Sequence, residues 1–224
     1  MDTQADASLG PRLGPHERRV LGVLVEKSLA TPDYYPMSVN SMVAACNQKN
    51  NRDPVMQLYE PDVVRALRSL EEGRWVATAD HSARVVRWKH RLSERLRVGA
   101  GIQAILAELL LRGPQQPGEL RTRACRMSNI ETPEALAELL DKMIANDPPL
   151  ATRYARVPGE RFDRYGQTLS PDGPLPSAGA AGSPAPPPQE EGSLQERVTR
   201  LEQEVQELRA ELATLRSTPP VAPG

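Results

Sequence analysis

The sequence predicts a mainly α fold with small β-hairpins (α+β): two similar modules in tandem, a disordered linker and a C-terminal coiled-coil helix. Three observations predict it. Helix-spaced apolar residues leading into a short β-rich hairpin occur twice between residues 14 and 170. A stretch dominated by Pro, Gly, Ala and Ser then breaks the periodicity. Beyond it, apolar residues recur at alternating spacings of four and three.

Taken in order, residues 1–13 are polar and acidic and are expected to be disordered. Gly14-Pro15 opens a helix whose apolar positions are Val20, Leu21, Leu24 and Val25. Asp33–Pro36 and Ser38 lead into a second helix, with Val39, Met42, Val43 and Cys46 on one side. A polar run from Asn47 to Pro54 follows. Pro61 starts a third helix, and Val63, Val64, Leu67 and Leu70 give it one buried face until Gly73 stops it. Trp75–Ala79 and Val85–His90 then read as two strands around a turn at Asp80–Arg84.

Helices in tandem followed by a hairpin outline a winged helix-turn-helix, in which one helix can enter a DNA groove while the hairpin lies along the backbone. Period two puts Val86 and Trp88 on one face of the last strand and Arg87 and Lys89 on the other. Between Arg74 and Arg97 there are seven Lys or Arg against two Asp or Glu, the densest basic stretch of the chain. The candidate DNA-binding residues are Arg65 and Arg68 on the third helix, Arg87, Lys89 and Arg91 on the hairpin, and Lys49 and Arg52 in the polar run. That run has a second reading, as a loop whose amides satisfy its own backbone.

The runs YYPMSVNSMVAACNQKNNRDPVM, ALRSLEEG, RVVRWKHR and LLLRGPQQPGELRTRA resemble the bacterial YceH-like family, over roughly Pro15 to Leu169. The resemblance implies two winged-helix domains in tandem and fixes the fold better than the function. Two features depart from the family pattern. Tyr59-Glu60-Pro61 stands where a Ser or Thr cap is expected, and the tail beyond Ser170 is longer.

The second module repeats the architecture without repeating the letters. Ile102, Ile105, Leu106, Leu109 and Leu110 form one helix face, ended at Gly113-Pro114. Pro117-Gly118-Glu119-Leu120 begins the next helix, running to about Met127. Thr132-Pro133 caps a third, which buries Leu136, Leu139, Leu140 and Met143. Ala151–Val157 and Arg161–Thr168 pair around Pro158-Gly159-Glu160. This third helix exposes Glu134, Glu138 and Asp141, an acidic stripe that phosphates would repel. These three are the candidate partner-binding residues.

The linker runs over residues 171–192 and includes Pro186-Pro187-Pro188. From Leu194 the residues Val198, Leu201, Val205, Leu208, Leu212 and Leu215 complete an unbroken heptad seam, with Leu at every d and mostly Val at a. Arg197–Glu202, Glu204–Arg209 and Glu211–Arg216 pair with opposite sign across a parallel two-stranded coil, so these residues are expected to self-associate. The expected boundaries are therefore 1–13 disordered, 14–98 first winged-helix domain, 99–170 second, 171–192 linker, 193–216 coiled coil and 217–224 disordered tail.

The net charge of −1 gives no global signal for nucleic acid. It hides an asymmetry: residues 1–170 hold 24 basic and 21 acidic side chains, the remainder 4 and 8. Cys46 and Cys125 each sit in apolar helical context and read as buried small hydrophobes in a reducing compartment. The N-terminus lacks an apolar core and no run spans a bilayer, so a cytoplasmic protein without membrane contact is expected. His16, His81 and His90 show no metal-ligand spacing, and the latter two are expected at the hairpin surface. No glycine-rich phosphate loop or nucleophile motif is present, so no cofactor, metal or enzymatic activity is expected.

Two functions follow. The first is a dimeric DNA-binding transcriptional regulator that contacts DNA through its leading module. The second is an interaction adaptor that holds a protein partner through the acidic stripe.

Overall fold

The computed structural model describes residues 12–79, 85–156 and 159–170. The linker, the heptad residues Leu194, Val198, Leu201, Val205, Leu208, Leu212 and Leu215, and both chain ends lie outside the described residues.

The described chain is mixed α+β, with small antiparallel sheets among helices. In the first half, α1 (Pro15–Ala30) is followed by β1 (Met37–Ser38), α2 (Val39–Cys46), α3 (Glu60–Glu72), β2 (Val76–Thr78) and β3 (Arg87–His90). The strands form one sheet in the order β1-β3-β2, with Met37 opposite Trp88 and Val76 opposite His90. A short helix that the sequence pattern does not announce, α4 (Leu92–Leu96), leads into the second half. There α5 (Ala100–Arg112), α6 (Pro117–Ala124), α7 (Pro133–Ala145), β4 (Ala151–Tyr154) and β5 (Arg164–Gln167) follow. Gln115 pairs with Tyr165 beyond β5, in the position that β1 holds beside β3. Both halves therefore run helix, strand or bridge, helix, helix, hairpin.

Local chemistry explains the helix starts. The Ser38 hydroxyl accepts from Ser41 N at 3.3 Å, and the Thr132 hydroxyl accepts from Ala135 N at 3.1 Å. Before α3, where no Ser or Thr stands, Asp62 Oδ2 instead accepts from Tyr59 N at 3.0 Å. At its other end the left-handed residue is Arg74 (φ +58°), not Gly73 (φ −72°). Trp75 N donates to Leu70 O at 2.8 Å and Arg74 N to Glu71 O at 2.9 Å, the paired bonds of a Schellman terminus. Gly73 is needed for a different reason: a Cβ there would lie 2.9 Å from Trp75 Cδ1.

The two halves share one core. The most extensive helix–helix packing is between α1 and α5. A single apolar cluster runs from Leu13 through Leu67 and Trp75 to Leu106, Leu140 and Leu169. On α1 the expected apolar positions Val20, Leu21, Leu24 and Val25 are buried, and so is every residue from Arg18 to Glu26, because α3 covers one side and α5 another. Gly22 is the point of closest approach, where a Cβ would lie 2.9 Å from the Leu111 side chain.

Candidate functional site

The outward side of the first half carries the cations singled out from the sequence. On α3, Val63, Leu67 and Leu70 turn into the core and Arg65 and Arg68 are exposed. On β3, Arg87 and Lys89 are exposed while Trp88 and His90 turn inward, as period two requires. Val86, assigned to the inward face, is instead half exposed. Arg65 has Asp62 at 3.8 Å, an exposed pair that holds it weakly. Arg87 donates to the Pro36 carbonyl at 3.0 Å. Arg91, expected to face phosphates, donates to Glu94 at 2.8 Å. Lys49 is exposed in the loop after α2. Acidic residues flank the α3 cations at both ends, Glu60 before them and Glu71 and Glu72 after.

Arg52 does not belong to this surface. It is 4% exposed, and its guanidinium donates to Ala45 O at 3.1 Å, Asn51 O at 2.7 Å, Gln48 Oε1 at 3.1 Å and Glu26 Oε2 at 2.6 Å. Asn47 pins the far end of the same loop, donating to Leu58 O and accepting from Leu58 N, both at 2.7 Å. For these residues the polar run serves its own backbone. Sequence reasoning could not find the Arg52 partner, which lies on α1, 26 residues earlier.

That partner belongs to a buried ionic seam between the halves. Arg126 Nη2, from the turn after α6, donates to Glu26 Oε1 at 2.9 Å and to Glu108 Oε1 at 2.7 Å. Arg112 Nε stands 3.4 Å from Glu108 Oε2, and Lys27 Nζ 3.4 Å from Glu26 Oε2. Glu26 and Glu108 are 2% and 0% exposed. Burial alone would raise the Glu26 carboxyl, but the hydrogen bond and charge of Arg52, with Lys27 and Arg126, hold it below the usual range. Arg19, 2% exposed, donates to the carbonyls of Cys46 and Pro54, and burial brings its pKa down to about 10. The only signal for this seam in the sequence is charge at positions where the helices should be apolar.

His90, expected at the hairpin surface, is turned in. Its Nε2 lies 2.8 Å from Ser28 Oγ, which itself donates to Val25 O at 2.8 Å. Leu92 N donates to its Nδ1 at 3.3 Å, so the neutral ring carries its proton on Nε2. Burial pushes its pKa down to about 4, against a smaller upward pull from Glu94. His81 lies outside the described residues.

In the second half Glu134, Glu138 and Asp141 are all exposed on α7. Cys46 is buried, and burial raises its thiol to about 12. Cys125, placed in the core by its apolar neighbours, is exposed at the C-terminal end of α6. Among the described residues, no group of three or more His, Cys, Asp or Glu is placed to hold a metal ion. No helix among them is long and apolar enough to cross a membrane.

Residues 13–160 match the family model described as a protein of unknown function, DUF480. The chain belongs to this family. Among relatives in the DUF480 (UPF0502) family, a UPF0502 protein of Geobacter sulfurreducens is 49% identical over 194 residues, which is 84% of this chain and 86% of the relative. One from Koribacter versatilis is 42% identical over 198 residues, 88% of this chain and 90% of that protein. One from Shewanella pealeana is 40% identical over 211 residues, 91% of this chain and 98% of that one. The matched DUF480 region runs from before α1 to just past β4 and takes in the ionic seam between the halves.

Proposed function

We infer that the chain is a tandem winged-helix protein of the YceH-like kind, that it binds duplex DNA through its first half, and that it acts as a dimeric transcriptional regulator. One observation carries this reading. A helix whose exposed side bears Arg65 and Arg68 packs beside a hairpin whose outward strand face presents Arg87 and Lys89, in a β1-β3-β2 sheet. The second half packs chiefly on α1, which leaves the outward side of α3 exposed. In this reading Arg65 and Arg68 enter the groove, and Arg87, Lys89 and the loop residue Lys49 lie along phosphates. The heptad seam joins two copies, and two copies call for a two-fold site. Fluorescence anisotropy with a labelled duplex at low salt tests it: saturable binding that is weakened in the Arg87→Ala/Lys89→Ala chain supports it, and no binding at low salt overturns it.

A second reading, an interaction adaptor, is favoured by the exposed acidic stripe Glu134, Glu138 and Asp141. Its test is a partner that co-purifies with the full chain and is lost when all three become Lys. Unchanged recovery of the same partner overturns it.

A further inference from the structure

Beside the Val76–His90 end of the β2–β3 pair, the described residues Arg74, Arg91, Glu94 and Arg95 line a hollow of about 340 Å³. That is near the lower end of the ~300–1,000 Å³ typical of small-molecule sites. We propose that this hollow binds a phosphate-bearing small molecule, with Arg74 as the principal contact.

Three observations carry the proposal. The first is the backbone of Arg74. It occupies the C′ position of a Schellman terminus at φ +58°, where glycine is the residue of least strain. An arginine kept in a left-handed conformation implies work for its side chain. Among the described residues that side chain is exposed, with neither a hydrogen-bond nor an ion-pair partner.

The second observation is how the other walls are fixed. Arg91 N donates to Trp75 O at 2.7 Å, extending the β2–β3 ladder by one step, so Arg91 is held close to Arg74. Arg95 N donates to Arg91 O at 2.9 Å, one helical turn on, and its guanidinium carbon lies 4.3 Å from the centre of the Trp75 ring. Two cationic walls thus stand on rigid elements before any ligand arrives.

The third is the charge of the lining, which among the described residues is three guanidiniums against one carboxylate. Burial lowers the Arg95 pKa, and the Arg74 charge lowers it further, so the two cations feel each other. Glu94 already accepts from Arg91 and sets the sign of its effect: it competes with an incoming oxyanion. The shape and charge suit a phosphate carried on a small organic body, with planar guanidiniums gripping its oxygens in pairs.

None of the residues that carry the duplex reading, Arg65, Arg68, Arg87, Lys89 and Lys49, lines this hollow, so the site does not depend on that reading. Pyrophosphate is the probe, titrated at constant ionic strength into the full chain carrying Trp88→Phe, which leaves Trp75 as the sole tryptophan under Arg95. Saturable change in Trp75 emission is expected. Arg74→Gly should weaken binding about tenfold or more while the melting temperature stays level or rises. Glu94→Gln should tighten it. Arginine Nε–Hε resonances of the unaltered chain give a second readout that needs no tryptophan substitution. A response that is linear and matched by chloride, or Arg74→Gly binding pyrophosphate as well as its parent, overturns the proposal. So does loss of duplex affinity in Arg74→Gly without any pyrophosphate binding by the parent, which would make the hollow a backbone contact for DNA.

Discussion

The Arg52 guanidinium meets the Glu26 carboxylate at 2.6 Å, with both side chains almost fully shielded from water. The contact ties the loop after α2 to the central helix. Removing one member of a buried ion pair leaves the other charge without a counterion. Glu26→Ala should therefore cost about 3–5 kcal/mol in urea denaturation. A loss below ~1 kcal/mol would show that Arg52 finds other acceptors.

The crossing of α1 and α5 at Gly22 gives a packing prediction. Gly22→Ala places a methyl 2.9 Å from Leu111, in a core with little room to give, and should cost ~1–3 kcal/mol. Leu111→Ala alone should cost ~2–5 kcal/mol through the cavity it leaves. The double variant should be more stable than the sum of the two losses. Strict additivity would mean that the helices separate rather than clash.

The buried His90 ring predicts an acid sensitivity. Its folded pKa of about 4 lies below the ordinary 6.5. The unfolded chain takes up the proton first as pH falls. The contribution to stability is therefore complete above pH 6.5 and is lost progressively down to about pH 4. Allowing for partial exposure, the loss is on the order of 1–2 kcal/mol. His90→Gln should flatten the stability–pH slope across that window in urea titrations. An unchanged slope would assign the acid sensitivity to other groups.

If duplex binding is found, its salt dependence reports on the hairpin. Each phosphate contact removed should lower the slope of log K against log salt by about 0.9, so Arg87→Ala/Lys89→Ala should lower it by roughly 2. Arg52→Lys should leave that slope alone, since Arg52 is buried, while reducing stability. A flatter slope in Arg52→Lys would place the loop on the nucleic acid after all.

The heptad seam predicts the assembly state. Deleting residues 193–216 should convert a dimer to a monomer in sedimentation equilibrium, with the far-UV spectrum of the remaining helices retained. A dimer that persists would place the contact in the helical body.

Short-range signals proved legible in this chain, and long-range ones did not. The apolar spacing of α3, the Thr132 cap and the alternation of Arg87 to His90 depend on neighbours a few residues away, and the sequence shows those directly. Arg52 and Arg126 depend on Glu26, which lies 26 and 100 residues from them, and no local pattern announces that pairing. His90 looked like a hairpin surface residue because its partners, Ser28 and Tyr35, come from segments 62 and 55 residues away. Cys125 misled in the opposite sense. Its small neighbours suggested a core position, but it falls just past the last turn of α6. The left-handed Arg74 was hidden because the adjacent Gly73 supplied the expected stop signal.

The joint use of α1 by both halves has a practical outcome. A chain cut between Val98 and Gly99 would leave the N-terminal fragment with an oily strip of α1 bare and the C-terminal fragment with the matching strip of α5. Neither piece carries a finished interior. Co-expressed, the two should reassemble into the parent structure.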